Sequence, residues 1–173
     1  ADYTERHGLQ GKVMISHAYC LGMAPWAQVE PLAERLSELG ISLMSSAPAD
    51  TPVPPFLALR EAGVNLCLGS DGIRDAWSPM GNGDMLERAM LLAFRFDLCK
   101  DDDLAAAFAA ATSNGSRALG REPARIEVGA PADFLLLPVE TLGEAVVARP
   151  VQRQVFKAGK LIAEHGKLLE SRL

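Results

Sequence analysis

The sequence predicts an α/β fold built on parallel strands. Two observations predict it. Short apolar runs alternate with stretches whose apolar residues recur at helical spacing. The links between them are short, and strand–helix–strand units with short links pair in parallel through right-handed crossovers.

The first strand is expected at 12–16, which holds Val13-Met14-Ile15-Ser16. Pro25 opens the first long helix, at a position where its missing N–H costs little. Trp26, Val29, Leu32, Ala33, Leu36 and Leu39 recur at helical spacing, and Gly40 stands where a left-handed residue ends a helix. The second strand is 41–45. A loop with Pro48, Pro52, Pro54 and Pro55 leads to a short helix carrying Phe56, Leu57, Leu59 and Ala62, stopped by Gly63. The third strand is 64–69, and Ser70 and Asp71 follow it. After a loop at 72–82, a long helix is predicted over about 84–97, with Met85, Ala89, Leu92 and Phe96 on one face. Asp101, Asp102 and Asp103 sit where the helix dipole favours acidic side chains, and the helix they start carries Leu104, Phe108 and Ala111. Thr112-Ser113-Asn114 restarts the chain as a last helical turn or two, ending at Gly120.

The pattern then changes. A turn at 129–133 precedes a strand at 134–137. Val151, Val155 and Phe156 lead to a turn at 157–160, and Leu161-Ile162-Ala163 returns as the hairpin partner. The tail reads as β-rich, a separate small layer. The expected division is therefore 1–122 and 123–173.

Composition narrows the function. The 173 residues are 49% hydrophobic and 6% aromatic, with a formal net charge of -5 and a pI of about 5.2. No basic stripe points to nucleic acid. No apolar run reaches the roughly 18 residues of a membrane helix, and the polar start Ala1-Asp2-Tyr3-Thr4-Glu5-Arg6 is no signal peptide. Cys20, Cys67 and Cys99 are odd in number and widely spaced, against both a disulfide scaffold and a structural zinc site. Reduced, mostly buried thiols and a cytoplasmic location are expected.

Two strand tips carry ionisable side chains: His17 after the first strand and Asp71 after the third. Carboxyl ends of parallel strands are where α/β folds hold their chemistry. An imidazole and a carboxylate there suit a metal-assisted site, because one is a borderline nitrogen donor and the other a hard oxygen donor. Asp71 before Gly72 also suits a turn, and His17 a satisfied strand-end histidine. Cys20 near the first tip is read as a buried structural thiol. Gly81-Asn82-Gly83 is not a dinucleotide fingerprint, which counts against a doubly wound nucleotide binder.

Four stretches resemble the amidohydrolase superfamily, in its cytosine deaminase-like branch. They are Val13-Met14-Ile15-Ser16-His17; residues 68–81, with Gly69-Ser70-Asp71-Gly72 and Asp75-Ala76-Trp77-Ser78-Pro79; residues 111–120; and Gly129-Ala130-Pro131-Ala132-Asp133-Phe134. The resemblance covers the whole chain and implies the C-terminal part of a (β/α)₈ TIM-type barrel, strands six to eight with their helices, plus part of a small β-sandwich. It implies that the first five βα units lie outside this sequence, with the His-x-His metal pair and the acid–base glutamate. By the same resemblance, Asp71 ligates a divalent metal (zinc or iron) and shuttles a proton to the departing amine. His17 either orients the metal-bound hydroxide or ligates metal. Trp77 and Asp75 line the pocket of a small heterocyclic substrate, though Trp77 equally suits a loop anchor packed against Pro79 and Asp75 a cap of the following turn. Where bacterial cytosine deaminases read His-Asp-Asp, this chain reads Ser70-Asp71-Gly72, so another amino- or amide-bearing heterocycle is as plausible as cytosine. Arg74 beside it reads either as a partner for a carbonyl-rich ligand or as a solvated loop residue.

The expected function is thus metal-dependent hydrolysis of a C–N bond of a cyclic amidine or amide, as in deamination of a nucleobase-like heterocycle, with metal held poorly by this chain alone, since catalytic zinc takes three protein ligands. Association is expected as a homo-oligomer or with the missing N-terminal half. The alternative is a non-catalytic α/β module that pairs through its open sheet edges.

Overall fold

Three short strands, β1 (Met14–Ser16), β2 (Ser42–Ser45) and β3 (Leu66–Leu68), form a parallel sheet in the order β1-β2-β3 in the computed structural model, which describes residues 1–169. Ile15 stands opposite Leu43, and Met44 opposite Cys67. The helices are α1 (Asp2–Arg6), α2 (Trp26–Glu38), α3 (Phe56–Glu61), α4 (Met85–Arg95), α5 (Asp101–Ala110), α6 (Ser113–Ala118) and α7 (Leu142–Ala148). A second sheet is antiparallel, in the order β4 (Phe134–Leu136), β5 (Gln154–Lys157), β6 (Lys160–Glu164), β7 (Lys167–Leu168).

The predicted faces form the core. Val29, Ala33 and Leu36 of α2 are buried with Ile41 and Leu43 beneath them, and Phe56 and Leu59 of α3 join the same cluster. Ala89 and Leu92 of α4 and Ala107 and Ala110 of α5 are wholly buried. Alanines at these places let α4, α5 and β3 approach closely. Gly40 ends α2 at φ +60°, a left-handed value that suits glycine.

The sheet has two unequal edges. β3 is buried throughout, and its open side is partly covered: Asn114 donates Nδ2 to the Leu66 carbonyl at 2.9 Å. β1 is exposed throughout, with Met14 and Ile15 about two-fifths accessible.

The tail is β-rich, as expected, but also carries a helix that the sequence reading did not place. α7 lies within it and packs on α4 and α5 with Ala145 and Val146 buried. Thr141 accepts from the Glu144 amide (3.0 Å), and the Glu144 carboxylate accepts from the Glu140 amide (2.9 Å). That Thr-x-x-Glu start before an apolar run was a legible helix signal. Arg153 then ties the second sheet to the first half of the chain, donating both terminal guanidinium nitrogens to Asp84 at 2.8 Å.

The thiols are free, as expected, but mostly not buried. Cys67 lies in β3 and is buried, whereas Cys20 and Cys99 are exposed. Cys20 sits in a 3₁₀ turn, Tyr19–Gly22, whose inward residue is Leu21.

Candidate active site at the strand tips

His17 donates its backbone N–H to the Met44 carbonyl at 2.7 Å, beside the end of β1, and has φ +66°. Asp71 lies three residues beyond β3 and has φ +59°. A left-handed backbone costs a non-glycine residue of order 1 kcal/mol, and such residues gather where a side chain must be aimed. Here the aim is mutual. β1 and β3 are two strand spacings apart, roughly 10 Å, with β2 between them. Yet His17 Nε2 stands 3.7 Å from Asp71 Oδ2. The two side chains meet across the end of β2, where the chain runs through the small residues Ser45, Ser46 and Ala47.

The other imidazole nitrogen has a partner that sequence pattern did not reveal. Tyr19 Oη is 3.0 Å from His17 Nδ1, and the two rings are 4.9 Å apart. Burial pushes the Tyr19 phenol pKa up, and the negative charges of Asp71 and Asp50 push it further the same way. The phenol is therefore protonated at neutral pH. No spacing rule pairs residues 17 and 19. The pairing follows from successive left-handed residues, His17 and Ala18, which fold the chain back on itself.

The loop after β3 is organised by Asp75. Its Oδ1 accepts the backbone N–H of Trp77 (2.9 Å) and of Ser78 (3.1 Å). This is an Asx turn. A side chain at position 72 would put its Cβ 1.9 Å from Asp75 Oδ2, so Gly72 and the Asp75 carboxylate share one space. The Trp77 side chain is not packed on Pro79: the residue is 95% exposed. Arg74 is exposed too, at φ +51°.

Two cavities lie away from these groups. One of about 560 Å³ lies between α3, α5 and β3, lined by Arg60, Asn65, Asn114 and Arg117. A wider one of about 970 Å³ lies under the second sheet, against Phe108, Phe134 and Phe156.

A sequence profile described as Amidohydrolase family matches residues 1–163. The chain belongs to this family. Amidohydrolases of known sequence and structure agree with it. The N-isopropylammelide isopropyl amidohydrolase of Pseudomonas sp. (strain ADP) is 34% identical over 165 residues, 95% of this chain and 41% of that protein. The solved N-isopropylammelide isopropylaminohydrolase from Burkholderia multivorans superposes with a TM-score of 0.88 at 45% identity, over 97% of this chain and 43% of that one. The 5-methylcytosine deaminase from Klebsiella pneumoniae, liganded with 5-fluorocytosine, superposes with a TM-score of 0.80 at 25% identity, over 99% and 45%. The family is one of enzymes, and the chain spans about two-fifths of the length of these relatives.

For an amidohydrolase, the donor set within this chain is short. His17 and Asp71 converge, but among the described residues no cluster of three or more histidine, cysteine, aspartate or glutamate side chains could hold a metal. Two converging donors fit one side of a metal site and fall below the three protein ligands of catalytic zinc. His7 and His165 lie elsewhere, at the end of α1 and in the turn between β6 and β7. No helix among the described residues is long and apolar enough to cross a membrane.

Proposed function

We propose that this chain is the C-terminal portion of a metal-dependent amidohydrolase that removes an amino or alkylamino group from a small heterocycle. The observation that carries the reading is the approach of His17 Nε2 to Asp71 Oδ2, 3.7 Å apart at the ends of two parallel strands that are not neighbours. In this reading the parallel sheet supplies strands six to eight of a (β/α)₈ barrel, residues 1–122 are its partial barrel, and residues 123–173 complete part of a β-sandwich. The bare β1 edge and its exposed apolar residues support a missing neighbour there.

Asp71 would hold the divalent metal together with ligands from the absent half. A bound divalent ion supplies a water acidified to near neutral pH. Asp71 takes the proton of the attacking water and returns it to the leaving nitrogen, which a carboxylate at hydrogen-bonding range of both can do. His17 faces the same point and orients or stabilises the oxygen nucleophile. Trp77 and Asp75 are proposed to border the substrate once the remaining strands close the pocket. With Gly72 lacking a side chain, the second aspartate of the bacterial cytosine deaminase pattern has no counterpart. A substituted amino-triazine or related ring, as the names of the relatives suggest, suits the site better than cytosine.

The test has two parts. Metal analysis of the purified 173-residue chain is expected to show well under one equivalent of zinc or iron, and no turnover. Joining it to the upstream half, as one chain or a mixture, is expected to restore ammonia or alkylamine release from a triazine or pyrimidine panel, abolished by Asp71→Asn. Stoichiometric tight metal on the short chain, or full activity in the Asp71→Asn protein, would contradict the reading.

A further inference from the structure

We propose that Tyr19 is a positioning residue that keeps the neutral His17 imidazole protonated on Nε2, so that His17 meets the reacting centre as a hydrogen-bond donor and not as a metal ligand. The function of that donor rests on the hydrolase reading above; the tautomer is a property of this chain alone.

The contact between Tyr19 Oη and His17 Nδ1, 3.0 Å long, permits two arrangements. In one, the phenol donates to a bare Nδ1 and the ring proton is on Nε2. In the other, Nδ1–H donates to the phenol oxygen and Nε2 carries the lone pair. The far side of the ring, at a distance beyond a hydrogen bond, favours the first without fixing it. Nε2 is 3.7 Å from Asp71 Oδ2, and an ionised carboxylate only accepts. A lone pair on Nε2 would face another lone pair, whereas an N–H there faces its complement. A phenol, with its ordinary pKa near 10, has a proton to give to Nδ1.

The surrounding chain holds this arrangement in place. His17 N–H is fixed to the Met44 carbonyl (2.7 Å), and Ala18 N–H donates to the Ser16 carbonyl (2.8 Å). The 3₁₀ turn that starts at Tyr19 is anchored by the buried Leu21. At its end, Gly22 packs so tightly on the Val53 backbone that a Cβ would come within 2.4 Å of the Val53 carbonyl oxygen. Tyr19 is therefore seated before any ligand arrives. A histidine that ligates metal through Nε2 needs its lone pair there and usually gives its other N–H to a carboxylate or carbonyl. His17 has neither behind it; it has a hydroxyl that can donate.

Long-range ¹H–¹⁵N correlation spectra of the ¹⁵N-labelled 173-residue chain test this, recorded about two pH units above the ordinary histidine pKa of about 6.5. His17 is expected to show a pyrrole-type Nε2 and a pyridine-type Nδ1, with Nδ1 displaced by the accepted hydrogen bond from those of His7 and His165. In Tyr19→Phe that displacement is lost and His17 moves to the averaged pattern of the other two histidines. The circular dichroism and the His7 and His165 signals stay unchanged. A pyrrole-type Nδ1 at His17 in the unaltered chain would overturn the inference without any variant, and so would an unchanged His17 pattern in a folded Tyr19→Phe chain. Neither result touches the hydrolase reading, because no metal or substrate is present. Conversely, failure to restore turnover with the upstream half leaves the tautomer standing.

Discussion

Replacing Asp84 by asparagine separates two duties of one carboxylate. Asp84 caps α4 by accepting the Leu86 N–H (3.0 Å), and it receives Arg153 through two nitrogens at 2.8 Å each. Losing one partner of a fully buried ion pair costs about 3–5 kcal/mol, and an exposed pair contributes less than about 1. With side chains 19% and 24% exposed and bidentate geometry, this pair falls between, at about 2 kcal/mol. Asparagine keeps the capping oxygen, so Asp84→Asn loses only the pair. Asp84→Ala also loses the cap and is expected to be less stable again by about 1 kcal/mol.

The pH dependence follows from the direction of the Asp84 shift. Burial alone would raise its carboxyl pKa, but the Arg153 hydrogen bond and charge, with the Leu86 and Glu87 amides, outweigh it and hold the value below the ordinary one. The folded pKa is thus lower than the unfolded value of about 3.9. The stabilisation is complete above that unfolded value and is lost as pH falls through the folded one. Urea unfolding followed by circular dichroism is expected to show the gap between the unaltered chain and Asp84→Asn at pH 7, narrowing as pH falls below the ordinary carboxylate range. Equal stabilities at pH 7, or a gap that ignores pH, would refute the reasoning.

Four further outcomes are expected. Leu92→Ala, at a position with no accessible surface, should cost about 3 kcal/mol in the same urea assay. Gly22→Ala forces the Val53 backbone to move and should cost about 2 kcal/mol while shifting the His17 and Tyr19 resonances; silent spectra would mean that the turn is not clamped there. Maleimide should label two thiols in the native chain, Cys20 and Cys99, and Cys67 only after unfolding, as read by intact mass. The Cys99 thiol, its pKa raised by its hydrogen bond to Asp97 and by that residue's charge, should react faster in Asp97→Asn.

Much of this architecture was legible because period and punctuation agreed. Gly40 and Gly63 closed α2 and α3 near where the apolar spacing stopped, and the three strands fell within the predicted runs. The strands came out shorter than the runs because Lys12 and Val13, for example, lie before the paired residues of β1. α7 was overlooked although Thr141 and Glu144 announced it, since the surrounding tail has strand-like composition. His17 and Asp71 could be placed at strand tips from sequence, but not at 3.7 Å, because that distance depends on two left-handed turns that no residue pattern encodes. The Asp84–Arg153 link spans 69 residues and joins segments whose approach only the folded chain defines.

The backbone at positions 17 and 71 also governs which knock-outs can be interpreted. Histidine, aspartate, asparagine and glycine tolerate positive φ, whereas a β-branched residue there is a steric outlier. A valine at either place would remove a functional group and bend the scaffold in one stroke, confounding lost chemistry with lost shape. Asparagine at both keeps the twist; at 71 it swaps one carboxylate oxygen for an amide nitrogen, and at 17 it removes the imidazole without straining the backbone, so it is the control of choice for mechanistic work on this protein.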